Sequence, residues 1–357
     1  MTDDIQPLRD QIDAIDRELL ELLNRRARLA QRIGEHKHRL QLPVFRPERE
    51  REVIERVSGA NQGPLHADGL AAVWREIMSA CRALEARQRV AYLGPEGTYS
   101  EMAARRFFGS SCAFVPCADL DEVVRSQLGG ATEFALAAIE NSTEGAIART
   151  LDLLLEQPLH ICGEISVAVH HNLLRRDAGL AGLDAVLAHP QALSQCRQWL
   201  DAHLPTVERR AVASNAEGAR LAAQDPRLAA IAGEQAASLY ALQIVSPRIQ
   251  DQPQNRTRFI VLGAQQAQRS GDDRTSLILA VPNRAGAVFE MLRPLAAHGV
   301  SMTRFESRPA RSGDWEYYFY VDVEGHTDDA PVRAALDELR GTCAFFKNLG
   351  SYPAWRD

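Results

Sequence analysis

The chain has 357 residues, enough for two or three domains. Apolar residues make up 45% and charged residues 25%, an ordinary balance for a globular protein, and the net charge of −6 excludes the basic surface of a general nucleic-acid binder. No apolar run approaches the roughly 20 residues of a membrane span, and the acidic start Met1-Thr2-Asp3-Asp4-Ile5 lacks a basic-then-apolar export signal. Cys81, Cys112, Cys117, Cys162, Cys196 and Cys343 form no C-x-x-C pair, which points away from a zinc site or a disulfide framework. A cytoplasmic, multidomain protein is expected.

Residues 5–89 read as almost entirely helical. Ile5, Leu8, Ile12, Ile15, Leu19, Leu22, Leu29 and Ile33 share one face, an apolar seam on a long helix. Pro43 and Pro47 punctuate the pattern, a second helix is expected near 48–57, and a third carries Leu70, Val73, Trp74, Ile77 and Leu84. Extending the seam from Leu22 reaches Arg26, a guanidinium where an apolar residue is due. An unpaired buried charge is costly, so Arg26 snorkels to solvent, pairs with a core carboxylate or meets an anionic ligand. Lys37 lies about 16 Å further along nearly the same face, so two long cations can grip a compact dianion. Arg9 sits about 25 Å from Arg26 and a quarter-turn away, and joins that pocket only if a second chain supplies it. Arg49 and Glu50 flank the buried face of the second helix, and Cys81 and Glu85 continue the face of Ile77 on the third. Such a pocket suits a small dicarboxylate.

Leu8-Arg9, Asn24-Arg25-Arg26, Lys37, Pro47-Glu48-Arg49-Glu50 and Ser79-Ala80-Cys81-Arg82-Ala83-Leu84-Glu85 resemble the all-helical chorismate mutases. The resemblance implies an intertwined dimer whose first helix lends its leading arginine to the partner's site. It implies substrate contacts at Arg9, Arg26, Lys37, Arg49, Glu50, Cys81 and Glu85. Converting chorismate to prephenate is pericyclic and needs a compact conformer and stabilised charge on the ether oxygen. Lys37 is the expected donor to that oxygen. Glu85 stands where many relatives carry Gln; only its protonated form helps, so a mutase favoured by mildly acidic pH is expected. Arg46 stands where some relatives place an acid, and its role is unassigned.

From Arg89 to about Leu262, short apolar runs (90–93, 134–139, 165–169, 185–187, 228–231, 259–262) alternate with helical stretches, an α/β pattern. Polar motifs adjoin these runs, where α/β proteins carry ligand loops: Gly94-Pro95-Glu96-Gly97-Thr98-Tyr99-Ser100, Ile139-Glu140-Asn141-Ser142-Thr143-Glu144-Gly145, His189-Pro190-Gln191 through Gln195-Cys196, and Asn255-Arg256-Thr257-Arg258-Phe259. The glycine loop has neither dinucleotide nor P-loop spacing, and His170, His171, Cys162 and His189 lack metal-ligand spacing. In this order the motifs resemble prephenate dehydratase, which implies two α/β lobes with the active site between them. Prephenate loses CO2 and its ring hydroxyl together, so decarboxylation supplies the electrons and no general base is called for. The resemblance implies Thr257 as donor to the departing hydroxyl, Asn141, Ser142 and Gln195 as supporting donors, and Arg258 as a counter-charge or a structural anchor. Ala188 stands where relatives usually carry Ser, and Ala138 where they usually carry Pro; the first removes a possible active-site hydroxyl.

After a polar linker at 265–273, the last module reads strand 275–281, helix 285–298, strands 301–308 and 315–324, helix 329–339 and strand 344–349, a ferredoxin-like order. Asn283-Arg284-Ala285-Gly286-Ala287-Val288 and Glu306-Ser307-Arg308-Pro309 resemble a phenylalanine-binding ACT regulatory domain, with Ala285 in place of the usual Pro. The resemblance implies an effector site from Asn283, Gly286, Ala287, Val288, Glu306, Ser307 and Arg308, formed between paired copies.

The expected architecture is an N-terminal all-α chorismate mutase dimer (1–89), a two-lobed α/β prephenate dehydratase domain (90–265) and a C-terminal α+β ferredoxin-like ACT domain (274–352). The resemblance implies a bifunctional enzyme of phenylalanine biosynthesis that takes chorismate to prephenate and prephenate to phenylpyruvate, inhibited by L-phenylalanine. It calls for no metal or organic cofactor, no nucleic acid and no membrane, and for a homodimer or higher homo-oligomer. A ligand-sensing two-lobed module is a rival, but leaves the cationic seam and Thr257 unexplained. Arogenate, one amino group away from prephenate, stays open as a substrate.

Overall fold

A computed structural model describes residues 5–310 and 317–356. They form two compact units, one made of the chain up to Gln88 with Phe108–Ala113, the other of Arg89–Phe107 with everything from Phe114 onward.

The first unit holds α1 (Gln6–Arg39), α2 (Pro47–Ala60) and α3 (Ala67–Glu85). Pro7 in the first turn of α1 and Pro47 at the start of α2 occupy positions where a missing N–H costs nothing. The α1 seam is not covered: Leu19, Leu22, Leu29 and Ile33 are each about half exposed or more. An unpartnered apolar face of this length lacks the burial that normally stabilises a helix.

In the second unit the first lobe contains β1 (Arg89–Leu93), α4 (Tyr99–Phe108), β2 (Ala113–Cys117), α5 (Leu120–Leu128), β3 (Phe134–Asn141), β4 (Gly145–Ala146), α6 (Ala148–Glu156) and β5 (Ile161–Ala168). The chain then builds a second lobe from β6 (Asn172–Arg175), β7 (Ala185–Ala188), α7 (Pro190–Gln195), α8 (Arg197–His203), β8 (Glu208–Ala211), α9 (Asn215–Ala222), β9 (Leu228–Ala232), α10 (Glu234–Leu239) and β10 (Gln243–Ser246). It returns through β11 (Arg256–Gly263), which pairs antiparallel between β3 and β5 in the sheet β2-β1-β3-β11-β5. The second sheet runs β10-β6-β9-β7-β8. Two segments therefore cross between the lobes, residues 169–171 and 247–255, and they are hydrogen-bonded to each other through Val169 N–H to Asn255 O (2.8 Å) and Ile249 N–H to His171 O (2.7 Å).

The remaining elements are β12 (Asp273–Ala280), α11 (Ala287–Ala297), β13 (Met302–Pro309), β14 (Tyr317–Glu324), α12 (Ala330–Thr342) and β15 (Phe345–Pro353), with sheet order β13-β14-β12-β15, the ferredoxin-like arrangement. Trp315, part of the expected third strand, lies outside the described residues. This module shares a core with the first lobe: Leu151 and Leu154 of α6 pack in one cluster with Ile278, Tyr320, Leu349 and Tyr352. The stretch expected as a free linker is not one, because Ala267 is buried in that cluster and His326 meets its carbonyl at 3.1 Å. The expected strand at 165–169 begins earlier, at Ile161, and Thr257 and Arg258 stand inside β11 rather than before it.

Candidate active sites

In the helical unit, Lys37 Nζ donates to Val44 O (2.9 Å) and to Glu85 Oε2 (3.3 Å). Gly34, one turn before Lys37, makes this approach possible: a Cβ there would fall 2.7 Å from Glu85 Cγ. Cys81 is buried one turn before Glu85. Glu50, expected as a substrate contact, is hydrogen-bonded by the buried Arg82, which also donates to Phe108 O and has the Phe45 ring 4.6 Å from its guanidinium carbon. Burial pushes the Glu50 carboxyl up, opposed by the Arg82 charge and hydrogen bond. Arg82 was passed over in the sequence because it falls beside the apolar residues of α3 with no partner visible along the chain. Arg49 is half exposed and donates to Glu52 at 2.5 Å, and Arg46 Nε to Glu48 at 2.7 Å. Arg26 is half-buried on α1 and Arg9 is exposed. Arg9 lies about 42 Å from Lys37 along one helix, so a single chain does not bring the two together.

In the second unit a cleft of about 620 Å³ opens between the lobes, lined by Gly97, Tyr99, Asn141, His171, Gln195 and Thr257 among others. Glu101 anchors its glycine loop by accepting from Gly97 N–H at 2.6 Å. Asn141 ends β3 with its Oδ1 accepting from Thr143 N–H (3.0 Å) and Glu144 N–H (3.3 Å), which forces its amide nitrogen the other way. That nitrogen donates to Thr257 Oγ1 and to Asn255 Oδ1, both at 2.9 Å. Thr257 thus accepts, and its own hydroxyl hydrogen is left for the cleft it lines. Gln195 Nε2 donates to Glu144 Oε1 across the lobes at 3.0 Å.

Ser142 donates to Gln254 O (3.3 Å) and accepts from Arg256 N–H (2.9 Å), so it ties the loop to the start of β11. Arg258, expected as a counter-charge or a structural anchor, donates to Glu164 (2.7 Å), Asp322 (2.6 Å) and Tyr352 (3.1 Å). Ala188 is fully buried in the second lobe's core. The sequence points His171 to a structural or polar role and gives Asn255 none; both belong to the crossing segments, whose contacts only the fold creates.

In the last module, Gly286 (φ +82°) precedes α11 in the left-handed conformation that glycine tolerates, and no atom crowds it. Asn283 and Gly286 are exposed, Ala287 is buried, Val288 is 37% exposed, and Phe289 beside it is 74% exposed. Glu306 and Ser307 lie on the edge strand β13. Arg308 is already engaged, by Asp152 at 2.8 Å and by Ala148 O. Among the described residues no cluster of His, Cys, Asp or Glu is placed to hold a metal, and no helix is long and apolar enough to cross a membrane.

These features define a class: a cationic helical module on the same chain as a two-lobed α/β cleft that presents hydroxyl and amide donors, fused to a ferredoxin-like domain. Residues 8–86 match the type II chorismate mutase family, 90–267 the prephenate dehydratase family and 275–341 the ACT domain. A bifunctional chorismate mutase/prephenate dehydratase from Neisseria gonorrhoeae is 47% identical over 97% of this chain and 96% of its own. The crystal structure of a prephenate dehydratase from Arthrobacter aurescens, in complex with L-Phe, is 32% identical and covers 74% of this chain and 90% of its own, with a TM-score of 0.69. A structure described as a novel type of quorum quenching acylase is 30% identical, covers 75% of this chain and 98% of its own, and has a TM-score of 0.68. The chain belongs to the family of bifunctional chorismate mutase/prephenate dehydratases. It is an enzyme with a chorismate mutase domain, a prephenate dehydratase domain and an ACT domain.

Proposed function

We propose that in the dehydratase cleft the Thr257 hydroxyl donates to the departing ring hydroxyl of prephenate while the substrate's carboxylate leaves as CO2. The orientation of Asn141 carries this reading: its amide occupies Thr257 as an acceptor, so the remaining hydrogen serves the leaving group. Gln195 reaches the same cleft from the second lobe. Acyl transfer on this fold calls for an activated nucleophile; among the described residues no hydroxyl lining the cleft meets an imidazole nitrogen, and Ser214 Oγ instead accepts from Glu217 N–H at 3.0 Å.

For the mutase we infer a two-chain site in which Lys37 donates to the ether oxygen and Arg26 and the partner copy's first helix supply the cations that compact the substrate. The uncovered α1 seam supports a second chain. In the ACT domain we infer inhibition by L-phenylalanine bound between copies, supported by the open Gly286 turn, exposed Phe289 and the free edge of β13. The free cysteines support a reducing, cytoplasmic setting.

The test adds chorismate to the purified chain and follows phenylpyruvate by its enolate absorbance after base, with and without phenylalanine; a separate reaction offers arogenate and follows its amino-acid product, phenylalanine, by chromatography. Phenylpyruvate from chorismate is expected, its yield suppressed by phenylalanine, with no phenylalanine formed from arogenate. Turnover of arogenate alone would reassign the substrate.

A further inference from the structure

We propose that His171 is a positioning residue for dehydration: as the neutral Nε2–H tautomer it fixes the Gln195 amide so that its N–H donors face Glu144 and the cleft. This deepens the dehydratase reading above and rests on it.

The polarity of the whole chain of hydrogen bonds descends from two backbone amides. Thr143 N–H and Glu144 N–H can only donate, so Asn141 Oδ1 is their acceptor and Asn141 Nδ2 donates to Asn255 Oδ1. Asn255 is then left with its own nitrogen, which donates to Gln195 Oε1 at 3.1 Å. Gln195 Oε1 is thereby identified as oxygen. The His171 Nε2 atom 2.8 Å from it must carry a hydrogen. The other ring nitrogen, Nδ1, is buried with no partner, which suits a bare neutral nitrogen and leaves an added proton without an acceptor. Burial also holds the ring's protonation below the usual histidine range, against the Gln195 bond and with help from His170.

The placement matters because His171 sits on one crossing segment, Asn255 on the other, Gln195 at the end of α7 in the second lobe, and Asn141 and Thr257 in the first. The ring therefore sets where a donor from one lobe stands relative to Thr257 of the other. Its backbone is held independently, by Ile249 N–H to His171 O at 2.7 Å and by His171 N–H to Gln250 Oε1 at 3.0 Å, so a changed ring leaves the crossing tied. Tyr99 meets the ring edge-on at 6.0 Å and supplies no polar partner to Nδ1.

The experiment compares His171→Phe and His171→Gln, the latter able to place an amide N–H near the position of Nε2, for dehydratase and mutase kinetics, alongside 15N-histidine NMR of the wild-type chain. The expected result is a dehydratase kcat lowered about 10- to 100-fold in His171→Phe with a smaller change in KM. Partial recovery in His171→Gln, an unchanged mutase rate and a resonance pattern of protonated Nε2 and bare Nδ1 complete the expectation. An unaltered kcat in a folded His171→Phe, failure of His171→Gln to recover, or a spectrum showing Nδ1–H overturns the proposal; should His171→Phe not fold, the wild-type spectrum and His171→Gln decide. Absence of phenylpyruvate from the wild-type chain would instead strike the dehydratase reading itself.

Discussion

Thr257 and Arg258 are neighbours on β11 and are committed to different domains: Thr257 Oγ1 accepts from Asn141 in the cleft, whereas Arg258 donates to Asp322 of β14 at 2.6 Å. Strand alternation sends adjacent side chains to opposite faces, so one strand carries the cleft hydroxyl on one side and the tie to the ferredoxin-like sheet on the other. The pattern repeats on β3, where Asn141 enters the cleft and Glu140 pairs with Arg304 of β13 at 3.1 Å. Thr257 and Asn141, which face the cleft, are thus each flanked by a residue that forms an ion pair into the ferredoxin-like module.

Thr257→Ala is expected to lower dehydratase kcat about 10²- to 10⁴-fold, the range for a lost general-acid contribution, while the mutase rate stays at wild type. Thr257→Ser, which restores a hydroxyl, should recover part of the loss. Phenylpyruvate formation assayed from prephenate and prephenate formation assayed from chorismate separate the two, and dehydration retained in the alanine variant would remove Thr257 from the mechanism.

Arg304→Met keeps bulk and removes the charge opposite Glu140. If that pair transmits the effector's influence, phenylalanine should inhibit the variant about 5- to 10-fold less effectively, a coupling loss of ordinary allosteric size, with uninhibited turnover close to wild type. Titration of dehydratase rate with phenylalanine reads both quantities, and an unchanged inhibition curve excludes this route.

Asp322 provides a pH test. Burial alone would raise its carboxyl, but Arg258, then Arg304 and the Ser276 hydroxyl, hold it below the usual aspartate value. Its contribution to stability is therefore fully present above the unfolded value, about 3.9, and is lost as pH falls through that value toward the depressed one. Asp322→Asn removes one of the two carboxylates around the buried Arg258 and leaves it Glu164, shared with Arg274, so it should cost about 1–3 kcal/mol at neutral pH. Hydrogen exchange of β11 and β14 should show the gap between wild type and variant narrowing as pH drops below about 4; a gap that widens on acidification contradicts the assignment.

What the sequence made legible followed local rules. The α1 seam, the glycine turn before α11 and the polar motifs beside apolar runs all announce themselves through spacing, because helix periodicity and left-handed backbone are properties of neighbouring residues. The double nature of Arg258 did not, since its partners Glu164 and Asp322 come from other strands. Nor did the short edge strands β8 and β10: β8 is exposed throughout and β10 is at most half-buried, so neither has an apolar run to reveal it. Arg82 and His171 were hidden for the same reason as Arg258, a polar role fixed by contacts from remote segments.

The two-chain mutase site predicts complementation. Arg9→Ala and Lys37→Ala should each abolish most activity alone. If Arg9 serves the partner's Lys37, a mixed dimer holds one intact site and one doubly damaged site. Equal mixing with free exchange should then restore about one quarter of wild-type activity, half the dimers being mixed and half their sites intact. No recovery in a mixture shown by mass to contain mixed dimers would remove Arg9 from the site that holds the partner copy's Lys37.

Glu85 tests the mutase reading through its contact with Lys37. Its Oε2 lies 3.3 Å from Lys37 Nζ, so on that reading the carboxylate competes for the ammonium proposed to serve the ether oxygen. An amide at position 85 donates to negative charge developing there, where a carboxylate repels it. In Glu85→Gln the neutral-pH kcat/KM should therefore increase about tenfold, the scale of a modest gain in transition-state hydrogen bonding. Gly34→Ala acts on the same pair sterically, since its Cβ would meet Glu85 Cγ at 2.7 Å, and should lower mutase activity in both backgrounds. A neutral-pH mutase rate in Glu85→Gln no different from wild type would mean that residue 85 does not face the reacting oxygen.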